Sequence, residues 1–495
     1  MIGVVWGIIV GALPGVSTLI GITLVIPFTF AMDPGHGIVL IVATAAGAHL
    51  GDGLTATLIG VPGTPPAAIT AIEGHALTRR GEGGAALYLN LIGAVFGQIF
   101  GALMFTLTIL PLTFVAKSVL PPEIFAITVF GLLSVAGLAE GDVLKGIGAV
   151  LLGAITATIG ADPISSVPRF TFGVNDLFGG FQVVPVIVGL LGLGELLHKI
   201  DQGTFASGSA STGGESWPRF GRISVPFSEL RAYATIGLLG AAIAFVFGII
   251  PGVGATAACF IVYQQSRLVA KRPELFGKGS KEALFAQNTA DNSCFGGDLV
   301  PTLGLGIPGS ASMAVLLGAL VVQGVQPGPL LYANRPELVG ITAAGLLLAG
   351  VALLPIGYLA CSLSKRIELV WPPVVAVTSV LLILLGGYTV RGSWFDVYTA
   401  MAFGVLGYFL RVYRIPVAAT AIGFILGSLL ESSFRRGLLT SGGSLQDFLT
   451  RPVTLTLLIL AVVLLVWQSW LPRRFRRRPR KASNVASSTT MNQGE

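Results

Sequence analysis

Charge is what this sequence has least of. Only 11% of its 495 residues are Asp, Glu, Lys or Arg, against roughly 25% in a soluble globular domain, too few to clothe a water-facing surface of this size. Cysteine is scarce as well. Cys259, Cys294 and Cys361 are odd in number, far apart and set among apolar residues, which excludes a disulfide framework and a CxxC metal pair. His36, His49, His75 and His198 share no metal-ligand spacing. There is no phosphate-cradling GxxxxGK-Ser/Thr loop, hence no sign of ATP hydrolysis, and neither HExxH nor GxSxG in a strand–turn–helix setting. No cleavable signal peptide is expected either, since the apolar start from Met1 to Leu13 lacks basic residues ahead of it.

What is abundant points one way. Apolar residues make up 53% of the chain, mean hydropathy is +0.83, and there are 67 glycines and 28 prolines. Small residues let membrane helices approach closely, and prolines interrupt them where a path is needed. The fold class expected is an all-α polytopic membrane protein of about 10–12 transmembrane helices, since about 20 apolar residues cross a bilayer. Continuous candidates lie at 85–110, 123–139, 145–160, 182–197, 338–362, 372–389, 395–411, 415–430 and 453–471. Interrupted ones lie at 1–31, 38–72, 232–265 and 283–323. The net charge of +7 is concentrated in the tail that starts at Arg473 and Arg474, after the last apolar run. Such a cluster anchors a cytoplasmic end and needs no nucleic acid to explain it.

The chain divides into a first transmembrane repeat (1–197), a polar linker (198–231), a second repeat (232–430), a terminal loop and last helix (431–472) and a basic cytoplasmic tail (473–495). The repeats are visible as two ordered motifs. Gly11-Ala12-Leu13-Pro14-Gly15-Val16 returns as Gly248-Ile249-Ile250-Pro251-Gly252-Val253. Gly51-Asp52 followed by Gly60-Val61-Pro62-Gly63-Thr64 returns as Gly297-Asp298 followed by Gly306-Ile307-Pro308-Gly309-Ser310, with the Asp-to-Pro distance kept. Lys and Arg crowd opposite loops in the two copies: Arg79 and Arg80 in the first, Arg267, Lys271, Arg272, Lys278 and Lys281 in the second. Under the positive-inside rule this predicts an inverted repeat. The Arg435-Arg436 loop then falls on the wrong side.

Helix breaks inside a bilayer leave backbone N–H and C=O groups without water, so they belong where they line an enclosed cavity. Each offers a helix N-terminus to an anion. The predicted site for a carboxylated solute therefore gathers Pro14, Gly15, Gly60, Pro62, Gly63, Thr64, Pro251, Gly252, Gly306, Pro308, Gly309 and Ser310. Thr64 and Ser310 add hydroxyl donors. Asp52 and Asp298 are intramembrane carboxylates at matching positions, fit to bind Na⁺ or take up a proton. The polar run with Asn288, Asp291 and Asn292 has oxygen ligands suited to a hard cation, a possible Na⁺ site. No other metal, no cofactor and no catalytic constellation is expected. An intramembrane enzyme and a passive channel or scaffold are the alternatives, and neither needs matched breaks with matched acids.

The stretches GALPGVS, GVPGT, 73–87 (EGHALTRRGEGGAAL), FGIIPGVGAT, 271–284 (KRPELFGKGSKEAL) and 296–332 together resemble the large subunit of the tripartite tricarboxylate transporter family, TctA, over most of 3–430. The resemblance implies a bacterial inner-membrane importer driven by a Na⁺ or H⁺ gradient. Its implied partners are a periplasmic solute-binding protein that delivers a tri-, di- or monocarboxylate and a small membrane subunit. Where the family tends to read Tyr-Gly-Gly-Ser, this chain has Leu50-Gly51-Asp52-Gly53. Where the family's second polar run tends to read Glu-x-x-Asn-Asn, this chain has Asn288, Asp291 and Asn292.

Overall fold

The structure, a computed structural model, describes residues 1–13, 17–60, 62–116, 120–136, 143–162, 167–203, 221–251, 254–364, 372–389 and 391–475. It is built of helices, with one two-residue antiparallel strand pair, β1 (Gly160–Ala161) and β2 (Pro168–Arg169). The first half holds α1 (Ile2–Gly11), α2 (Thr18–Thr29), α3 (Pro34–Ile59), α4 (Ala67–Leu77), α5 (Gly83–Ala116), α6 (Pro121–Ala136), α7 (Val143–Ala157), α8 (Val183–Ile187) and α9 (Gly194–Asp201). A π-helical stretch, Val188–Leu193, joins α8 to α9. The second half holds α10 (Phe227–Ile249), α11 (Gly254–Val269), α12 (Lys281–Leu305), α13 (Ala311–Val322), α14 (Pro329–Asn334), α15 (Pro336–Ser364), α16 (Pro372–Thr389), α17 (Trp394–Val412) and α18 (Val417–Thr440). Two helices follow, α19 (Leu445–Leu449) and α20 (Pro452–Phe475). Seven helical segments among the described residues are long and apolar enough to cross a membrane, and several shorter apolar helices accompany them. The protein is a multi-pass membrane protein.

The halves are assembled alike, by glycine contacts that bring backbones together. A Cβ on Gly3, Gly7 or Gly11 of α1 would collide with Leu40, Thr44 or Ala48 of α3, taken in that order. In the second half, a Cβ on Gly237 or Gly248 of α10 would collide with Phe285 or Cys294 of α12, again in the same order. The return helices run back: α2 sets Gly21 beside Ala48 and Thr29 beside Gly37, and α11 sets Val262 against Gly240. Residues 1–31 and 232–265 are therefore helical hairpins turning near the Pro-Gly motif, not single interrupted spans as the sequence predicts. A Pro-Gly pair reads the same in a kink and in a turn. Pro14, Gly15 and Gly252 lie outside the described residues, as does the tail from 476 onward.

Each half lends helices to the other. Gly93, Gly97 and Gly101 of α5 face Phe285, Thr289 and Ser293 of α12 in the same order. On α15, Gly345 meets Val39 and Gly357 meets Leu50 of α3, also in the same order. Between α5 and α15 the order is reversed, Gly350 facing Ile99 and Gly357 facing Leu91. Farther out, α18 packs on α6 and α7, with Gly423 against Val150 and Gly153 against Thr420, while α17 packs on α8–α9, with Gly407 against Leu190 and Gly189 against Ala400.

Polar ties also cross between the halves. Glu73 of α4 is fully buried and accepts from Tyr263 Oη (2.6 Å) and from the amides of Gly277 (2.5 Å), Gly279 (2.8 Å) and Ser280 (2.7 Å). Gln323, just after α13, donates to Thr29 O at 2.8 Å beside Gly37. The Arg435 that the sequence left on the wrong side is neutralised. It reaches Asp162 at 2.8 Å and Glu431 at 2.7 Å, and Arg169 forks onto Glu431 at 2.7 and 3.0 Å. The Glu431 carboxylate holds the Arg169 guanidinium above its ordinary pKa.

Candidate functional site: two acid-capped helix breaks

The second motif of each half builds the same object. Gly60 ends α3 in the left-handed region (φ 71°) and Gly306 ends α12 there (φ 72°), turns that a side chain would strain. The chain then doubles back before α4 or α13 begins. In the first half this brings Gly63 N–H to 2.6 Å from Asp52 Oδ1 and the Thr64 hydroxyl onto Oδ2. In the second, Ser310 caps α13 by accepting from Met313 N–H, with its hydroxyl in the neighbourhood of Asp298. A Cβ on Gly309 would sit 3.1 Å from Asp298 Oδ1 and 3.4 Å from Gly248 O. Both acids are buried in mid-helix, 2% and 3% exposed.

In the first break the Gly63 N–H and the Thr64 hydroxyl, donors expected to meet a solute, are held by the chain's own Asp52. The positive-φ turn falls on Gly60 and Gly306, whereas Gly63 and Gly309 have ordinary backbone angles, and Gly309 is needed for its close approach to Asp298. Pro62 and Pro308 stand between these positions in the breaks.

The first motif rests on the second. A Cβ on Gly51 would strike Ile8 O and Ala12 N of the α1 hairpin; one on Gly297 would strike Phe245 O and approach Gly248 Cα. Gly248, two residues before the extended Ile250 that ends α10, thus lies beside Asp298, where a Cβ on it would come 2.9 Å from Asp298 N.

The polar run of α12 joins the two breaks. Gln287 donates to Pro66 O at 2.6 Å, at the start of α4, and accepts from Thr70 at 3.1 Å. Asn288 and Asn292 spend their N–H groups on Leu284 O (2.8 Å) and Asn288 O (3.0 Å) of their own helix. Asn292 Oδ1 and Thr289 Oγ1 are buried acceptors without a hydrogen-bond donor. Asp291 stands 3.9 Å from His49 Nδ1 of α3 and within Coulombic reach of both Asp52 and Asp298. His49 also meets Phe295 edge-on, ring centroids 5.6 Å apart. Each lies three residues before its half's Asp, so equivalent positions touch where the halves meet.

The structure therefore brings together Asp52, Asp298, Asp291, Asn288, Asn292 and the described break residues, with His49 at the centre. Sequence reasoning missed Glu73, although it is the one acid in the apolar stretch of α4. It also missed Glu195, Lys199 and Arg411, which interrupt otherwise apolar spans.

The family model described as tripartite tricarboxylate transporter TctA family matches residues 1–422. The chain belongs to that family. A relative from Agrobacterium vitis, described as an uncharacterised 52.8 kDa protein in the TAR-I ttuC′ 3′ region, is 32% identical over 473 residues, covering 94% of this chain and 91% of its own. A second from the same organism, described as an uncharacterised protein in the TAR-II ttuC′ 3′ region, is 34% identical over 226 residues, 45% of this chain and 91% of its own. No solved structure matches the chain. Membership in the tripartite tricarboxylate transporter TctA family points to transport as the activity of this chain.

Proposed function

We propose that this chain is the large subunit of an ion-gradient-driven importer of a carboxylate, tri-, di- or monobasic. It works with a small membrane subunit and a periplasmic solute-binding protein in a bacterial inner membrane, its C-terminus cytoplasmic. The reading is carried by the pair of acid-capped breaks at equivalent positions. The contact orders support an inverted repeat: α5 runs with α12, α15 runs with α3, and α5 and α15 run against each other, so α3 and α12 are opposed. The end bearing Arg79, Arg80, Lys271, Arg272 and Lys278 then faces the cytoplasm.

The capping suggests how ion and solute are coupled. While Asp52 is ionised and empty-handed it holds the Gly63 amide and the Thr64 hydroxyl. A cation or proton on the carboxylate competes with those donors and frees them for a solute carboxylate, and Asp298 acts likewise on the second break beside it. The solute's site is thus completed by the coupling ion. Asp291, Asn288 and Asn292 add oxygens between the breaks that suit Na⁺, and the choice between Na⁺ and H⁺ is open to measurement.

Asparagine at position 52 or 298 keeps an acceptor for the cap but removes the charge. Asp52→Asn and Asp298→Asn should reduce ion-coupled uptake by roughly tenfold or more with normal membrane insertion, since losing an intramembrane charge eases insertion. Uptake is measured in cells carrying all three subunits, with and without a Na⁺ or pH gradient. Wild-type rates from both variants would reduce these acids to caps and remove the coupling mechanism.

A further inference from the structure

Two charge clusters occupy matching places in the halves. On α18, Glu431 and Arg435 stand one turn apart, joined by Arg169 and Asp162. On α9, Glu195 and Lys199 stand one turn apart with Nζ 2.9 Å from Oε1, and Arg411 approaches from the end of α17 with Nη2 3.9 Å from Oε2. The arginines differ in what neutralises them. Arg169 forks onto a carboxylate. Among the described residues no carboxylate lies within hydrogen-bond distance of Arg411; its guanidinium donates instead to Leu190 O (2.9 Å), Gly407 O (3.2 Å) and Leu191 O (3.1 Å).

Those carbonyls orient the fork without cancelling its charge, and the nearest acid is already engaged by Lys199. They are available because Val188–Leu193 is π-helical, and the wider turn loosens the main-chain bonding of the segment. Arg411 is not reaching for water in the manner of a topology anchor: its side chain is 17% exposed and points at Leu190 and Leu191, which are themselves buried. The cluster also lies near the start of α2: Glu195 is within reach of Ser17, the residue that caps α2, and Lys199 lies within Coulombic reach of Asp52.

We propose that Arg411, with Lys199 beside it, is the cationic station for one carboxylate group of the solute, and that Glu195 occupies it when the solute is absent. This rests on the carboxylate reading above. Helix ends supply about half a charge each, short of what a solute with two or three carboxylates needs away from water. A guanidinium supplies a full charge and a planar pair of donors that matches the carboxylate.

The test is uptake of radiolabelled citrate, tartrate, succinate and lactate by cells carrying all three subunits, with immunoblots for amount. Arg411→Gln should raise the half-saturating concentration of the transported acid by roughly tenfold or more while leaving the amount in the membrane unchanged, and Arg411→Lys should fall between. Glu195→Gln should lower that concentration, because it removes the internal competitor. If Arg411 only ties α17 to α9, Glu195→Gln will be at least as harmful as Arg411→Gln, and loss will appear as less protein or a lower maximal rate at unchanged half-saturation; either result overturns the station. Wild-type cells that take up none of the four acids would instead overturn the carboxylate reading and the station with it.

Discussion

Glu73 shows how much one buried carboxylate organises. Four donors converge on it, three of them backbone amides of a loop from the other half. A charged acceptor can satisfy them all, whereas a glutamine would turn an NH₂ group toward donors and leave some unpaired. Glu73→Gln should therefore destabilise the protein by about 3 kcal/mol, read as a lower melting temperature of the detergent-purified chain. Glu73→Asp, shorter but charged, should lose less. An unchanged melting temperature in Glu73→Gln would mean that the loop finds other acceptors. Asp52 is satisfied differently, by donors within a helix break, and Asp298 sits beside the matching break, so their substitution should register in transport before it registers in stability.

The helix breaks place their strain on particular glycines. Gly60→Ala and Gly306→Ala force a side chain into the left-handed region, at about 1–2 kcal/mol each, and should weaken the turn that returns the chain to its Asp. Gly63→Leu and Gly309→Leu act by bulk, Gly309 directly against Asp298. Uptake should be lost in all four, whereas Gly148→Leu on α7, where a Cβ would meet nothing, should be tolerated. Gly131 would be a poor control, since its Cβ would strike Ile307 inside the second break. Equal activity in the Gly306 and Gly148 variants would make the breaks simple kinks. Elements of this kind were legible in the sequence to different degrees. Helix lengths follow the apolar runs closely, because the bilayer enforces both, and the repeated Gly-Asp…Pro-Gly spacing marks the two breaks. That 1–31 and 232–265 form hairpins was not legible, because hairpin and kink use the same residues. The capping of each break by its own acid was also hidden, since it depends on the chain doubling back. Glu195, Lys199 and Arg411 escaped notice because their meaning depends on a partner helix distant in sequence.

For the whole molecule, an inverted repeat makes a sidedness prediction. In a cysteine-free background, a single cysteine at Gly35 should react with a membrane-impermeant maleimide added outside, whereas cysteines at Lys278 and at Arg477, in the tail beyond the described residues, should react only after permeabilisation. Equal labelling at 35 and 278 would put both motif loops on one side and remove the inversion. The exchange of helices between halves has a further effect, on the order of events during synthesis. Helix α7 leaves the ribosome with Gly146 matched to Ala136 of α6, but the partner of Gly153 is α18, which is not made until the second half is almost finished. At typical rates of synthesis that gap is on the order of tens of seconds. During it α6 and α7, short helices with small-residue faces, must be tolerated by lipid or by an insertion factor. A premature stop after α15 would keep both acid-capped breaks and still strand those two helices, so truncated chains should be cleared by membrane proteases, not accumulate as half-transporters.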